Sequence, residues 1–234
     1  MIPHTFHFVW VGPNPIPPTL LTNVEGWRRL NPTWHITLWS DTVTGAGPWD
    51  DIRWEPVINR RLYDHISLFV GDAAQWAGRS DIVRLEVLAK HGGVYLDFDV
   101  KPLKPVDTLF DTVTLCLADE RAQEDTLGRP GACNGNYLIG ARPNHPALWT
   151  SVREIEGNMV RFKGDIIKGT GPQYVFRQLV RHPDCVVFPH HLFNPCRPRV
   201  DWSQVTEWPP TAYANHCFHG TWYGQTKTPP TPDL

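Results

Sequence analysis

An open α/β sheet, with ligands gathered at the C-terminal ends of its strands, is the fold class this sequence predicts, and three observations point to it. The chain opens as strand, helix, strand; a long helix ends in Gly92-Gly93 and passes straight into another strand; and no Gly/Ser-rich or charge-run linker divides the 234 residues. One domain is expected over residues 1–226, followed by a Pro-rich flexible tail at 227–234, "KTPPTPDL".

Residues 5–11, "TFHFVWV", are β-branched and aromatic and are closed by Gly12-Pro13, the signature of a buried strand leading into a loop, with Trp10 near the strand's C-terminal end. Over 19–30, Leu20, Leu21, Val24, Trp27 and Leu30 follow helical spacing until Asn31-Pro32 stops it, and "HITLWSD" at 35–41 reads as a second strand. The segment 72–93 is the clearest helix: apolar positions recur through Ala77, Val83, Val87 and Leu88, and the glycine pair caps it. Asp81 and Arg84, three residues apart, share one face of that helix. Further on, 112–118 and 136–141 read as strands, and 146–162 and 172–182 as helices.

The strand after Gly93 carries the chemistry. Val94, Leu96, Phe98 and Val100 alternate with Tyr95, Asp97 and Asp99, so the period of two puts both carboxylates on one side, with Cα atoms about 6.5–7 Å apart. Aspartate is a poor strand former, and two of them in a hydrophobic strand need compensation. Taken alone, Asp-x-Asp describes two surface carboxylates on an edge strand. The apolar opposite face, the sharp glycine turn before it and Pro102 and Pro105 after it argue instead for a hard divalent ion shared with a diphosphate. An EF-hand loop is excluded, because its glycine and terminal glutamate are missing.

A formal net charge of −2 with scattered Lys and Arg leaves no electrostatic footprint for nucleic acid or anionic membrane, so a nucleic-acid partner is unsupported. No run of 18 apolar residues exists, so no membrane span is expected, and the N-terminus lacks the basic region of a signal peptide. Five cysteines (Cys116, Cys133, Cys185, Cys196, Cys217) include no C-x-x-C pair and are expected as buried thiols in a reducing compartment; the expected location is cytoplasmic. There is no G-x-S-x-G element for a nucleophilic triad.

Residues 78–100, "GRSDIVRLEVLAKHGGVYLDFDV", resemble the signature of the DXD-containing sugar transferases of glycosyltransferase family 32, and "HFVWVG" at 7–12 resembles the nucleotide-pocket strand of the glucosylating clostridial toxins. With "NPTWHITLWSD" the likeness covers the first 110 residues in the family's order. It implies a GT-A fold and a retaining transfer of sugar from a nucleotide-diphosphate sugar, UDP favoured over GDP, aided by Mn2+ or Mg2+. Trp10 would stack on the base with Val9 beside it, Ser80 would lie near the ribose, and Asp81 and Arg84 would hold the donor sugar. Asp97 would contact ribose or sugar and reach the metal through water, Asp99 would bind the ion directly, and Tyr95 would support the diphosphate end.

Two later stretches complete the resemblance. "CNGNYLIGARPNHP" is similar to the family's acceptor-side strand, with Asn134 and Asn136 both candidates to approach the transferred sugar. "ANHCFHGTWYG" is similar to the segment that closes the metal site: either His216 or His219 would complete the coordination, and Thr221 and Trp222 would cover the diphosphate, Thr221 standing where serine is usual. "TGPQ" at 170–173 resembles a further loop of the family. The acceptor, whether glycan, protein or small molecule, is not specified by these motifs, nor is an oligomeric state. Two readings compete: a metal-dependent nucleotide-sugar hydrolase or pyrophosphatase would use the same carboxylates, and a silent nucleotide-sugar-binding module would be betrayed by loss of one of Asp81, Arg84, Asp97 or Asp99, all of which are intact.

Overall fold

Strand β1 (Thr5–Val9), helix α1 (Pro18–Leu30) and strands β2 (His35–Trp39) and β3 (Asp51–Arg53) open the fold. Helices α2 (Arg60–His65), α3 (Ser67–Val70) and α4 (Gln75–His91) lead to β4 (Gly93–Leu96), β5 (Val100–Pro102), β6 (Leu115–Ala118) and β7 (Leu138–Ala141). Then come α5 (Pro146–Arg161), α6 (Ile166–Gly169), α7 (Pro172–Leu179), β8 (Cys185–Phe188), α8 (His190–Phe193) and β9 (Ala214–His216). The computed structural model describes residues 1–120, 135–195, 205 and 207–217. Among these no helix is long and apolar enough to cross a membrane.

Seven strands form a mixed, mostly parallel sheet in the order β3-β2-β1-β4-β7-β6-β8, in which only β7 runs against its neighbours. Because β1 pairs β2 on one side and β4 on the other, all three parallel, their C-terminal ends open onto one crevice where the strand order reverses. The predicted alternation sorts the core into two layers. Phe6, Phe8, Ile36, Leu38, Val94 and Leu96 pack on the α1 face, and Val9, Trp39, Tyr95 and Ile139 on the face covered by α4, α5 and α7.

The turn from α4 into β4 requires its two glycines. Gly92 and Gly93 have φ of 66° and 91°, and a Cβ would lie 2.6 Å from Pro143 in the first case and 2.6 Å from the His7 ring in the second. Two elements are shorter than expected: α4 begins at Gln75, whose side chain donates to Asp72, and β2 ends at Trp39, with Asp41 accepting from the Gly12 N–H. Short pieces such as β3, α6, β8 and β9 carry too few residues to show a period. Cys116 and Cys217 are buried and Cys185 is half-buried, while Cys133 and Cys196 lie outside the described residues, as does the 227–234 tail.

The strongest expectation to be revised concerns the acidic strand. β4 ends at Leu96, residues 97–100 form a turn closed by the Val100 N–H donating to the Asp97 carbonyl (3.1 Å), and the chain leaves the large sheet to pair with β9. Asp97 still donates its N–H to the Tyr137 carbonyl at 2.9 Å, and its carboxylate is compensated by the Tyr95 hydroxyl and the Arg84 guanidinium.

Beneath the crevice His7 is wholly buried, accepting from the Trp39 indole at Nδ1 (3.0 Å) and donating from Nε2 to the Gly92 carbonyl (2.8 Å). Burial holds its pKa down from 6.5 to about 3, against the smaller opposing effect of the Gly92 bond. Between those values the unfolded chain takes up a proton that the folded site refuses, so the contribution of His7 is complete above the unfolded pKa and falls as pH drops. It should cost about 2 kcal/mol at pH 5. Urea unfolding of the wild type and of His7→Gln, which keeps a donor and an acceptor, should show that much more acid loss in the wild type; parallel losses would mean that His7 is not held neutral.

Candidate active site

The crevice is lined first by the Asp97–Asp99 turn, and the surrounding fold clamps that turn from three sides. Phe98, between the two aspartates, is buried against Phe8 (ring centroids 5.1 Å) and meets Trp10 edge-on at 5.4 Å. From α1, the Asn23 side chain donates to the Phe98 carbonyl and the Trp27 indole to the Val100 carbonyl, both at 2.9 Å. Burying the phenylalanine holds both neighbouring carboxylates at the crevice even though they do not share a strand.

β9 supplies a third potential ligand. It pairs antiparallel with β5 so that Val100 faces His216, and the Cys217 N–H donates to the Asp99 carbonyl at 2.9 Å. This register sets His216 Nε2 3.4 Å from Asp99 Oδ1, and the ring stacks on Tyr137 at 4.4 Å and 14°. One ligand atom from each of Asp97, Asp99 and His216 lies within 4.8 Å of the others. Two hard carboxylates and one imidazole suit Mn2+ or Mg2+, with positions left for phosphate oxygens and water. Between the two histidines named from sequence, His216 is the one brought to the aspartates; His219, Thr221 and Trp222 lie outside the described residues.

Behind the turn lies a buried charge network. Arg84 Nη2 sits 3.2 Å from Asp81 and Nη1 3.3 Å from Asp97, its side chain only 7% exposed, while Nη1 also donates to the Asn136 carbonyl at 2.9 Å. The guanidinium lies over the Tyr95 ring at 4.4 Å, and the Tyr95 hydroxyl donates to Asp97 at 2.5 Å. Asp81 accepts from the Asn136 side chain (3.0 Å) and from the Thr170 hydroxyl (2.9 Å). Burial pushes Asp81 up to about 6, opposed by Arg84, Thr170 and Asn136. Burial also works against the charge on Arg84, yet Tyr95, Asp97 and Asp81 hold its pKa above the ordinary guanidinium value. His216 is likewise held above the usual imidazole value, burial being outweighed by Asp99 and Glu120.

The residues named from sequence therefore divide into groups. Asp97, Asp99 and half-buried Trp10, whose Nε1 donates to the Asn14 carbonyl at 2.7 Å, line the crevice. Ser80 accepts from Arg84 at 3.3 Å and is half-buried beside the same network. Asn136 is drawn into the Asp81 network, whereas Asn134 lies outside the described residues. Tyr95 is buried under Arg84 with its hydroxyl on Asp97, and the Val9 side chain is buried in the core.

Glu120 was not anticipated. It follows β6, its Oε1 lies 3.7 Å from His216 Nδ1, and burial pushes its carboxyl up to about 7, against His216. The one signal in the sequence was an acidic pair, Asp119-Glu120, at the end of an apolar strand. The buried Tyr137, beneath His216, had no signal beyond its place in a strand.

Known proteins resemble this fold and the stretch that carries the site. A family model described as the glycosyltransferase sugar-binding region containing a DXD motif matches residues 17–115, from α1 to the start of β6, and Asp97-Phe98-Asp99 falls within the matched stretch. The chain is 25% identical over 231 residues to inositol phosphoceramide mannosyltransferase 1 of Schizosaccharomyces pombe, covering 95% of this chain and 63% of the relative. It is 25% identical over 189 residues to the α-1,4-N-acetylglucosaminyltransferase of Homo sapiens, covering 70% and 50%. The chain thus spans roughly half to three-fifths of the length of these curated relatives. Galactosyltransferase LgtC, solved with donor and acceptor sugar analogues, superposes with a TM-score of 0.56 over 92% of this chain and 87% of that one at 12% identity, a likeness of fold. The architecture is that of the GT-A glycosyltransferases.

Replacing Arg84 by Met keeps much of the side chain's bulk and leaves two carboxylates facing each other without their cation. Unfolding free energy at neutral pH should fall by about 3–5 kcal/mol, the usual cost of breaking a buried ion pair by removing one partner. Chemical denaturation measures it, and a loss below roughly 1 kcal/mol would place the pair among solvated ones.

Proposed function

We propose that the protein is a metal-dependent, retaining glycosyltransferase that moves a hexose from a nucleotide-diphosphate sugar, UDP favoured, to a hydroxyl on an acceptor glycan, protein or small molecule. The observation that carries this reading is the convergence of Asp97, Asp99 and His216 at the crevice where β1 and β4 end, beside a half-exposed tryptophan. Asp99 and His216 would hold a divalent ion, with Asp97 reaching it directly or through water. That ion, when bound, neutralises charge developing on the diphosphate leaving group.

The chain's own residues do the rest. Trp10 offers the base a flat face at the end of β1, and Ser80 lies toward the ribose. Asp81 and Arg84, already fixed against each other and against Thr170 and Asn136, present a rigid wall for the donor sugar's hydroxyls. No enzyme nucleophile is required when the acceptor attacks from the face the leaving group vacates and the leaving phosphate takes its proton. The names of the two relatives, one a mannosyltransferase and one an N-acetylglucosaminyltransferase, support a hexose and leave its identity to a donor screen. Sugar transferred in proportion to added acceptor separates this reading from a hydrolase or pyrophosphatase, which would release free sugar or nucleoside monophosphate.

Two outcomes follow. Asp99→Ala should abolish the Mn2+-dependent thermal stabilisation by UDP while the melting temperature without ligand stays close to that of the wild type; retained transfer activity would remove Asp99 from the metal site. Trp10→Ala should weaken UDP by one to two decades in calorimetry with Mn2+, in line with a stacking contribution of roughly 1–3 kcal/mol. Unchanged affinity would return Trp10 to a packing role, and tighter binding of GDP than UDP would overturn the donor assignment.

A further inference from the structure

We infer that Glu120 is a positioning residue of the metal site, holding the His216 ring so that Nε2 is presented to the ion; the inference rests on the metal-dependent reading above. The geometry points to it. His216 lies between two carboxylates, with Nε2 toward Asp99 at 3.4 Å and Nδ1 toward Glu120 at 3.7 Å, so its two nitrogens face opposite acids. Its ring plane is set from a third direction by Tyr137, stacked at 4.4 Å and 14°. Tyr137 in turn donates its hydroxyl to the Asp119 carbonyl at 3.0 Å, which ties the stacking ring to the residue before Glu120. The backbone of His216 is fixed by its pairing with Val100, immediately after Asp99.

An imidazole that binds a cation through Nε2 must carry its proton on Nδ1, and that N–H needs an acceptor in a buried place. Glu120 is the carboxylate on that side, at the end of β6, whereas Asp97 and Asp99 come from the turn between β4 and β5. A carboxylate behind a ligating histidine fixes both tautomer and ring orientation, and losing such an outer partner commonly costs about 10–100-fold in metal affinity. Glu120 acts through His216 and does not touch the ion. The prediction is therefore one of coupling as well as of loss.

The test is Mn2+ titration followed by electron paramagnetic resonance, in the presence of saturating UDP, on the wild type, Glu120→Ala, Glu120→Gln, His216→Ala and the double variant. Glu120→Ala should weaken Mn2+ by about 10–100-fold, and Glu120→Gln, whose amide oxygen keeps an acceptor on the Nδ1 side, should stay within a few-fold of the wild type. In the His216→Ala background the same Glu120→Ala change should have little further effect, because its target is gone. Glu120→Met, which keeps the volume, repeats the comparison should the shorter side chain unfold the end of β6. Additive losses in the double variant, or a Glu120→Gln variant as weak as Glu120→Ala, would overturn the inference by making Glu120 a ligand or a bulk charge. Wild-type binding that Glu120→Ala leaves unchanged overturns the role of Glu120 alone, and a wild type that binds no Mn2+ overturns the metal reading with it.

Discussion

The guanidinium of Arg84 is the interaction on which the site depends. It is a cation in the interior with its side chain almost entirely enclosed, and an isolated charge there would cost far more than folding can supply. Its partners come from three elements: Asp81 from its own helix α4, Asp97 from the end of β4, and the backbone of Asn136 just before β7. Each partner would itself be a buried polar group in difficulty without the cation. The helix, the central strand and the antiparallel strand are consequently fixed relative to one another by electrostatics, in a region where hydrophobic packing alone would tolerate sliding. Tyr95 adds direction, its ring beneath the guanidinium and its hydroxyl on Asp97.

From that fixed point the arrangement of the crevice follows. Asp97 is held from behind, so the chain can turn sharply at Phe98 and leave the sheet; Phe98 is buried, so Asp99 must emerge on the crevice side; and the short β5 that results offers an edge to β9, which carries His216. Three potential ligands drawn from two segments more than a hundred residues apart in the chain are thereby placed by backbone hydrogen bonds, not by flexible side chains. Such placement keeps the ligand set assembled before any ion arrives, which lowers the cost of binding one.

Much of this was legible in the sequence wherever periodicity or punctuation was strong. The helix carrying Asp81 and Arg84, the Gly92-Gly93 turn and the first strand with Trp10 at its end all declared themselves, because long apolar repeats and glycine pairs reflect constraints that act locally. What misled was local as well: Val94 to Val100 alternates without a break, and nothing in that pattern says that the strand ends at Leu96. The turn is decided by groups far along the chain, Asn23 and Trp27 on one side and Cys217 on the other, whose hydrogen bonds no window of ten residues contains. Tyr95 lies on the side of the strand that period-two reasoning gives it, but such reasoning gives a direction and not the distance to the surface, and the ring is buried.

The same distinction explains why Glu120 and Thr170 differ in how readable they were. Thr170 sits in a Thr-Gly-Pro turn at the start of α7, a punctuation that draws attention even before its hydroxyl is found on Asp81. Glu120 has no such frame: an acidic residue after an apolar strand is ordinarily a solvated loop residue, and only the stacking of His216 on Tyr137 and the pairing of β9 with β5 bring an imidazole to it. Its meaning lies wholly in tertiary structure. A half-buried carboxylate facing one nitrogen of a buried histidine, whose other nitrogen faces an aspartate, is best compensated when the ring nitrogen it faces carries the proton. That requirement runs in both directions, since the ring could offer Nε2 to an ion only while Nδ1 keeps its hydrogen, so His216 and the acid behind it form one unit in the proposed metal site.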